Sequence, residues 1–114
     1  MNSNNTNTPL PANVERAIRR LGDGISLARR RRHWSQAMLA ERIGASMATV
    51  KRMEEGSPGT AIKHLARALH VFGDLAKLEA LLDSANDSVG LAMADQSLPK
   101  RVRNPKRTPD SGAL

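Results

Sequence analysis

Two short apolar patterns joined through a glycine constrain this chain more than any other feature. Residues 35–56 read Ser-Gln-Ala-Met-Leu-Ala-Glu-Arg-Ile-Gly-Ala-Ser-Met-Ala-Thr-Val-Lys-Arg-Met-Glu-Glu-Gly. Leu39 and Ile43 lie one helical turn apart and share a face. Ala40 is small, so a second helix can cross close above it. Gly44 follows four residues later, where a tight turn favours positive φ. Ser35 and Ser46 each stand just before a helical pattern, where a hydroxyl can cap free backbone N–H groups. Val50 and Met53 then return to the core that Leu39 and Ile43 begin. The spacing predicts one helix to about Ile43 and another from Met47 to about Glu55, crossed steeply, with the start of the second facing outward. A plain helical hairpin would also fit an apolar pattern with an alanine and a glycine. Cap, alanine, glycine and valine all fall at the spacing that the crossed pair requires.

The neighbouring sequence extends the helical pattern. Val14, Ala17, Ile18, Leu21, Ile25 and Ala28 recur at spacings of three and four and make one apolar stripe from about Asn13. Gly22 and Gly24 weaken that helix and leave open a break into two. Arg29–Arg32 end it with a basic cluster that suits the helix dipole. Thr60 is the expected cap of a fourth helix, Ala61 to about His70, with Ile62, Leu65, Ala66 and Leu69 inward. Gly73 should end it. A fifth helix is expected from Asp74 to about Leu82, carrying Leu75, Leu78, Leu81 and Leu82. The fold class is therefore all-α: five short helices in residues 13–83, a disordered segment 1–12 and a basic, Pro-containing tail 84–114. Only Trp34 and Phe72 are aromatic, which argues against a β-sandwich or barrel. In the tail, Val89, Leu91 and Met93 alternate as an added strand would. That part is expected to order against a second subunit or a partner, with residues 104–114 mobile.

Charge narrows the partner class. Lys plus Arg number 18 against 11 Asp plus Glu, a formal charge of +7, and the helical part keeps its own positive excess. Such a surface suits a polyanion, either nucleic acid or an anionic membrane. There is no cysteine, so disulfides and thiolate metal sites are excluded. No run is apolar enough to span a bilayer, and the Asn- and Thr-rich start is no secretory signal, so a cytoplasmic location is expected. His33, His64 and His70 have no ligand spacing, and neither a metal nor another cofactor is expected. The chain lacks a phosphate-binding glycine loop, a nucleophile elbow and a paired-carboxylate site, and is not read as an enzyme.

The crossed pair can place its second helix in a DNA major groove. The candidate DNA-facing set is Gln36, Ser46, Met47, Ala48, Thr49, Lys51 and Arg52. Gln36 could reach a phosphate or brace a base-reading side chain. Arg52 is the long donor-rich side chain suited to guanine, while Met47 and Ala48 offer only apolar contact to thymine methyls. Arg30, Arg31, Arg32 and Ser35 are candidate phosphate contacts. Trp34 is read as a packing residue at the helix junction.

Residues 21–82 resemble the XRE, or Cro and lambda-repressor-like, helix-turn-helix family. The residues that carry the resemblance are Arg29, Ser35-Gln36, Leu39-Ala40, Gly44, Ser46, Thr49-Val50 and Met53-Glu54-x-Gly56. It implies that Gln36, Ser46, Met47, Ala48 and Arg52 lie at the DNA, and that Arg29 and Glu54 form a structural ion pair. Glu55 departs from the family, which often has a phosphate-binding side chain there, because phosphate repels a carboxylate. A narrower resemblance joins Leu21–Arg32, Glu54–Thr60, Gly90–Met93 and Leu98–Arg103 to HipB-type antitoxins. It implies a homodimeric repressor of its own operon, bound to a palindromic double-stranded DNA operator and to a HipA-type serine/threonine kinase toxin. A stand-alone or phage-type regulator without a toxin, and an interaction module that uses the fold without DNA, are the alternatives.

Overall fold

Six α-helices and one short 3-10 turn make up the regular structure of the described residues, 8–97 of the computed structural model, and no strand occurs among them. They are α1 (Ala12–Arg31), α2 (Gln36–Ile43), α3 (Met47–Glu54), α4 (Ile62–Phe72), α5 (Leu75–Ala80) and α6 (Ser88–Ser97), with the 3-10 turn at Ser84–Asn86. The chain divides into two units, Met1–Leu78 and Glu79–Leu114. The expectations for residues 1–7, for the basic residues from Lys100 onward and for residues 104–114 lie outside the described residues.

The first unit folds because α2 and α3 start and stop where their sequence tells them to. Met38 N–H donates to the Ser35 hydroxyl at 3.0 Å, and Thr49 N–H donates to that of Ser46 at 3.1 Å. Helices α1 to α4 all end in the same way. An N–H one residue past the turn reaches back five residues: Trp34 to Arg29, Ala45 to Ala40, Ser57 to Arg52 and Asp74 to Leu69, at 2.8–3.2 Å. This closure needs a left-handed residue just before that donor. Gly44, Gly56 and Gly73 supply it for α2, α3 and α4, and His33 supplies it for α1 at φ 60°. A left-handed residue with a Cβ costs about 1–2 kcal/mol, partly offset by the greater unfolded-state freedom of glycine. His33→Gly is therefore expected to raise the melting temperature by about 2–4 °C, read by circular dichroism. A lower melting temperature would show that the imidazole makes a stabilising contact.

The core consists of Ile25, Leu39, Ala40, Ile43, Val50, Met53, Ala68 and Phe72, with Leu39 and Val50 fully covered. Trp34 packs against it, its ring stacked on Phe72 at 6.0 Å, with the Arg42 guanidinium 4.4 Å from the centre of the Trp34 ring.

Several expectations are corrected. α1 is unbroken through Gly22 and Gly24. Each glycine costs a helix only about 1 kcal/mol, and packing at Gly22 and Ile25 holds this one together. Its apolar stripe is only partly buried: Ile25 is covered, while Val14 and Leu21 are exposed. Thr60 does not cap α4. Its hydroxyl donates to the Ser57 carbonyl at 3.0 Å, and Ala61 takes the cap position without a side-chain bond. Ile62, expected inward, is 71% exposed, and Ala68 and Phe72 are the buried positions of α4. α5 stops at Ala80, buries no residue and leaves Leu81 and Leu82 exposed.

The second unit corrects the reading of Val89, Leu91 and Met93 as a strand, because they lie on α6. Asp87 starts that helix: Gly90 N–H donates to its carboxylate at 2.9 Å and Leu91 N–H to its carbonyl at 2.8 Å. The cap and the good helix formers Leu91-Ala92-Met93-Ala94 outweigh three alternating apolar residues, which need a partner strand to be stable.

Candidate nucleic-acid interface

Helix α3 turns its buried side, Val50, Met53 and Glu54, to the core and leaves Met47, Ala48, Lys51 and Arg52 on the surface. Lys51 and Arg52 make no hydrogen bond, ion pair or ring contact with other described residues. Ser46 and Thr49 are tied together at the start of the helix, the Ser46 hydroxyl donating to Thr49 Oγ1 at 3.0 Å. Thr49 and Arg52 also line a cleft of about 160 Å³ with His64 and the Gly59–Ala61 turn that leads into α4. The chain thus presents a helix start and two free cations on one face.

A charged network fixes the other end of α3. Arg29 donates to both Glu54 carboxylate oxygens, from Nε at 2.6 Å and Nη2 at 3.0 Å, and from Nη1 to the Trp34 carbonyl at 2.8 Å. The two side chains are 11% and 6% exposed. Gln36 Nε2 adds a bond to Glu54 Oε1 at 3.0 Å. Burial alone would raise the Glu54 carboxyl. The bonds from Arg29 and Gln36, the charge of Arg29 and a bond from Ser26 together prevail and hold it below the ordinary carboxylate range. The network joins α1, the start of α2 and the end of α3, so the outward face of α3 is set by three elements at once. Gln36 faces this network in the free protein.

The basic residues separate into two kinds. Arg32 donates to the Ala28 and Phe72 carbonyls, both at 2.8 Å, with its guanidinium 4.8 Å from the centre of the Phe72 ring. Arg30 donates to Ser26 at 3.2 Å, and Arg67 to the Ile43 carbonyl at 3.2 Å. Arg31 lines a cleft that no residue of α3 borders. Ser35 is occupied as the cap of α2. Sequence reasoning missed the parts played by Ser26, Arg42 and Arg67. Nothing in their local pattern marks them, since their partners lie on other helices or come together only through the fold.

Glycine sets how closely α1 meets α3. A Cβ on Gly22 would stand 2.6 Å from the Glu54 carbonyl oxygen and 2.8 Å from both Gly56 N and the Met53 carbonyl oxygen. A Cβ on Gly56 would stand 2.7 Å from Arg19 Cα. The backbones touch, and this contact lies next to the Arg29–Glu54 pair.

Among the described residues no helix is long and apolar enough to cross a membrane. No curated protein and no solved structure gives a significant match to the chain. Residues 25–79 match the family model described as helix-turn-helix, whose members are DNA-binding regulators and generally not enzymes. With its capped helix pair, its glycine-closed turn and its outward second helix, the segment 25–79 has the helix-turn-helix architecture that this model describes.

Proposed function

We propose that the protein is a sequence-specific transcriptional repressor that binds a palindromic operator as a homodimer. Residues 13–83 are its DNA-binding domain and residues 84–114 a segment for partner contact. One observation carries the reading: α3 holds two cations without a partner among the described residues, Lys51 and Arg52, beside the small or apolar Met47 and Ala48, on a helix whose far end is fixed by the Arg29–Glu54–Gln36 network. In the groove, Arg52 reads a base, Met47 and Ala48 touch thymine methyls, and Ser46, Thr49 and Lys51 meet the backbone. Gln36 bonds phosphate with the amide atoms that Glu54 leaves free. Arg30 adds a phosphate contact beside Ser35, while Arg31 and Arg32 contribute less because of where they lie.

Selection of a binding site from random duplex DNA, followed by mobility-shift titration, tests this. Arg52→Ala should weaken the selected site by about 10–100-fold, equivalent to about 1–3 kcal/mol, and random DNA much less. Equal loss on both would make Arg52 a phosphate contact. Failure to select any site would leave the interaction-module reading in its place. Protection of two half-sites about 34 Å apart is the sign of the dimer.

Within that reading we take the protein to be the antitoxin of a type II toxin–antitoxin pair with a HipA-type kinase toxin. Its support is the resemblance over Leu21–Arg32 and Glu54–Thr60, two runs that pack on each other through Gly22 and Gly56. Co-expression with the product of the adjacent reading frame tests it. A stable complex with a kinase supports the antitoxin, and the absence of such a gene or complex leaves a stand-alone regulator.

A further inference from the structure

Gly24 has no role inside the molecule. It sits in an unbroken helix, where glycine costs about 1 kcal/mol relative to alanine. A Cβ built there meets nothing within 4 Å. Gly22, two residues earlier, is explained by the backbone of α3. At 100° per residue, Gly24 faces nearly the opposite way. Arg20 and Arg31, four residues before it and seven after, share its side of the helix.

That side opens on a cleft of about 310 Å³ between α1, the end of α4 and the first turn of α5. Its floor includes Leu21, Ala28 and Leu69, and its rim carries Arg20, Arg31 and Lys77 against a single carboxylate, Asp74. Lys77 lies 3.6 Å from Asp74, while Arg20 and Arg31 have no partner among the described residues. No residue of α3 lines it.

We propose that this cleft is a docking surface for an acidic amphipathic helix of a partner protein, which lays its apolar side chains on the floor across Gly24 and its carboxylates against Arg20 and Arg31. Charge selects the occupant. A second copy placed symmetrically would bring one cation-rich rim against another, which is unfavourable in a self-complementary contact. DNA would gain from the cations but would leave the apolar floor unused. A helix with apolar anchors and acidic flanks satisfies both, and the missing side chain at position 24 lets it approach closely. The proposal stands apart from the DNA-binding reading: the cleft shares no residue with α3, and of the residues read as DNA contacts only Arg31, a lesser one, lines it.

The test uses the full-length 15N-labelled protein and two amidated 16-residue helical peptides. Both have leucines at i, i+3, i+4 and i+7, one with glutamates along both flanks and the other with lysines in their place. The acidic peptide should shift amide signals at residues 20–31 and 69–77 and bind at least about tenfold more tightly than the basic one. Gly24→Trp should abolish that binding while leaving the circular dichroism and the DNA mobility shift unchanged, and Gly24→Ala should retain it. Arg20→Glu with Lys77→Glu, both on the surface, should reverse the preference between the peptides and serves if the tryptophan variant fails to fold. Equal binding of the two peptides, or shifts elsewhere, would overturn the proposal. Conversion of a dimer to a monomer by Gly24→Trp in sedimentation would assign the cleft to a second copy. Weaker DNA binding by that variant would assign it to DNA.

Discussion

Arg29→Met is expected to lower the unfolding free energy by about 3 kcal/mol, the low end of what breaking a buried ion pair costs. The low end applies because the pair lies near the surface of a small domain, although its side chains are only 11% and 6% exposed. The loss comes mainly from Glu54, whose carboxylate stays covered and keeps only the bonds from Gln36 and Ser26. Arg29→Met combined with Glu54→Leu should recover much of it, since no unpaired charge then remains. The effect depends on pH in a defined direction. In the folded protein the Glu54 carboxyl is held below its ordinary range, so its contribution is complete above the unfolded carboxylate value, about 4.3. It is lost as pH falls through the lower folded value. Urea unfolding of both proteins between pH 7 and pH 3 should show a gap that is widest at pH 7 and narrows as pH falls, because the variant's covered Glu54 carboxyl, without Arg29, takes up a proton before the parent's does. A gap that persists unchanged at pH 3 would place the loss in packing of the arginine stem.

Gly22→Ala and Gly24→Ala should have opposite signs. In an isolated helix either change stabilises by up to about 1 kcal/mol. At position 24 that gain should appear, because the new methyl meets nothing. At position 22 the methyl would meet three backbone atoms at 2.6–2.8 Å. Backbone cannot move aside as a side chain can, so α1 must shift from the end of α3 at a cost of about 1–3 kcal/mol or more. The same shift would pull Arg29 from Glu54, so Gly22→Ala should also weaken DNA binding while Gly24→Ala leaves it intact. Thermal unfolding and mobility shift on the two variants check this. A Gly22→Ala protein as stable as the parent would mean that the helices can separate without loss.

Whatever depends on near neighbours was legible. Ser35, Gly44, Ser46 and Gly73 act on backbone groups within five residues of themselves, so the boundaries of α2 and α3 and the end of α4 followed from spacing alone. Leu39, Ala40, Ile43, Val50 and Met53 entered the core as their periodicity required. Where a signal was weak, local reading went astray. Thr60 is a good cap residue, but its hydroxyl found Ser57 nearer. Three alternating residues suggested a strand, and one aspartate cap with four helix formers made a helix instead.

Net charge shows the same division. The count of Lys and Arg pointed to a polyanionic partner, but it could not tell which cations are free. Arg29, Arg32, Arg42 and Arg67 are held by a carboxylate, carbonyls or a ring on elements up to 40 residues away. Lys51 and Arg52 have no partner among the described residues and lie on the surface of α3. By itself the sequence determined that this chain forms a capped pair of helices around one apolar seam, because caps, turns and periodicity act over a few residues. Only the tertiary structure decided which face of α1 is backbone contact and which is open cleft, and which arginines are structural. Those outcomes depend on what the fold sets opposite each side chain, and no spacing along the chain encodes that.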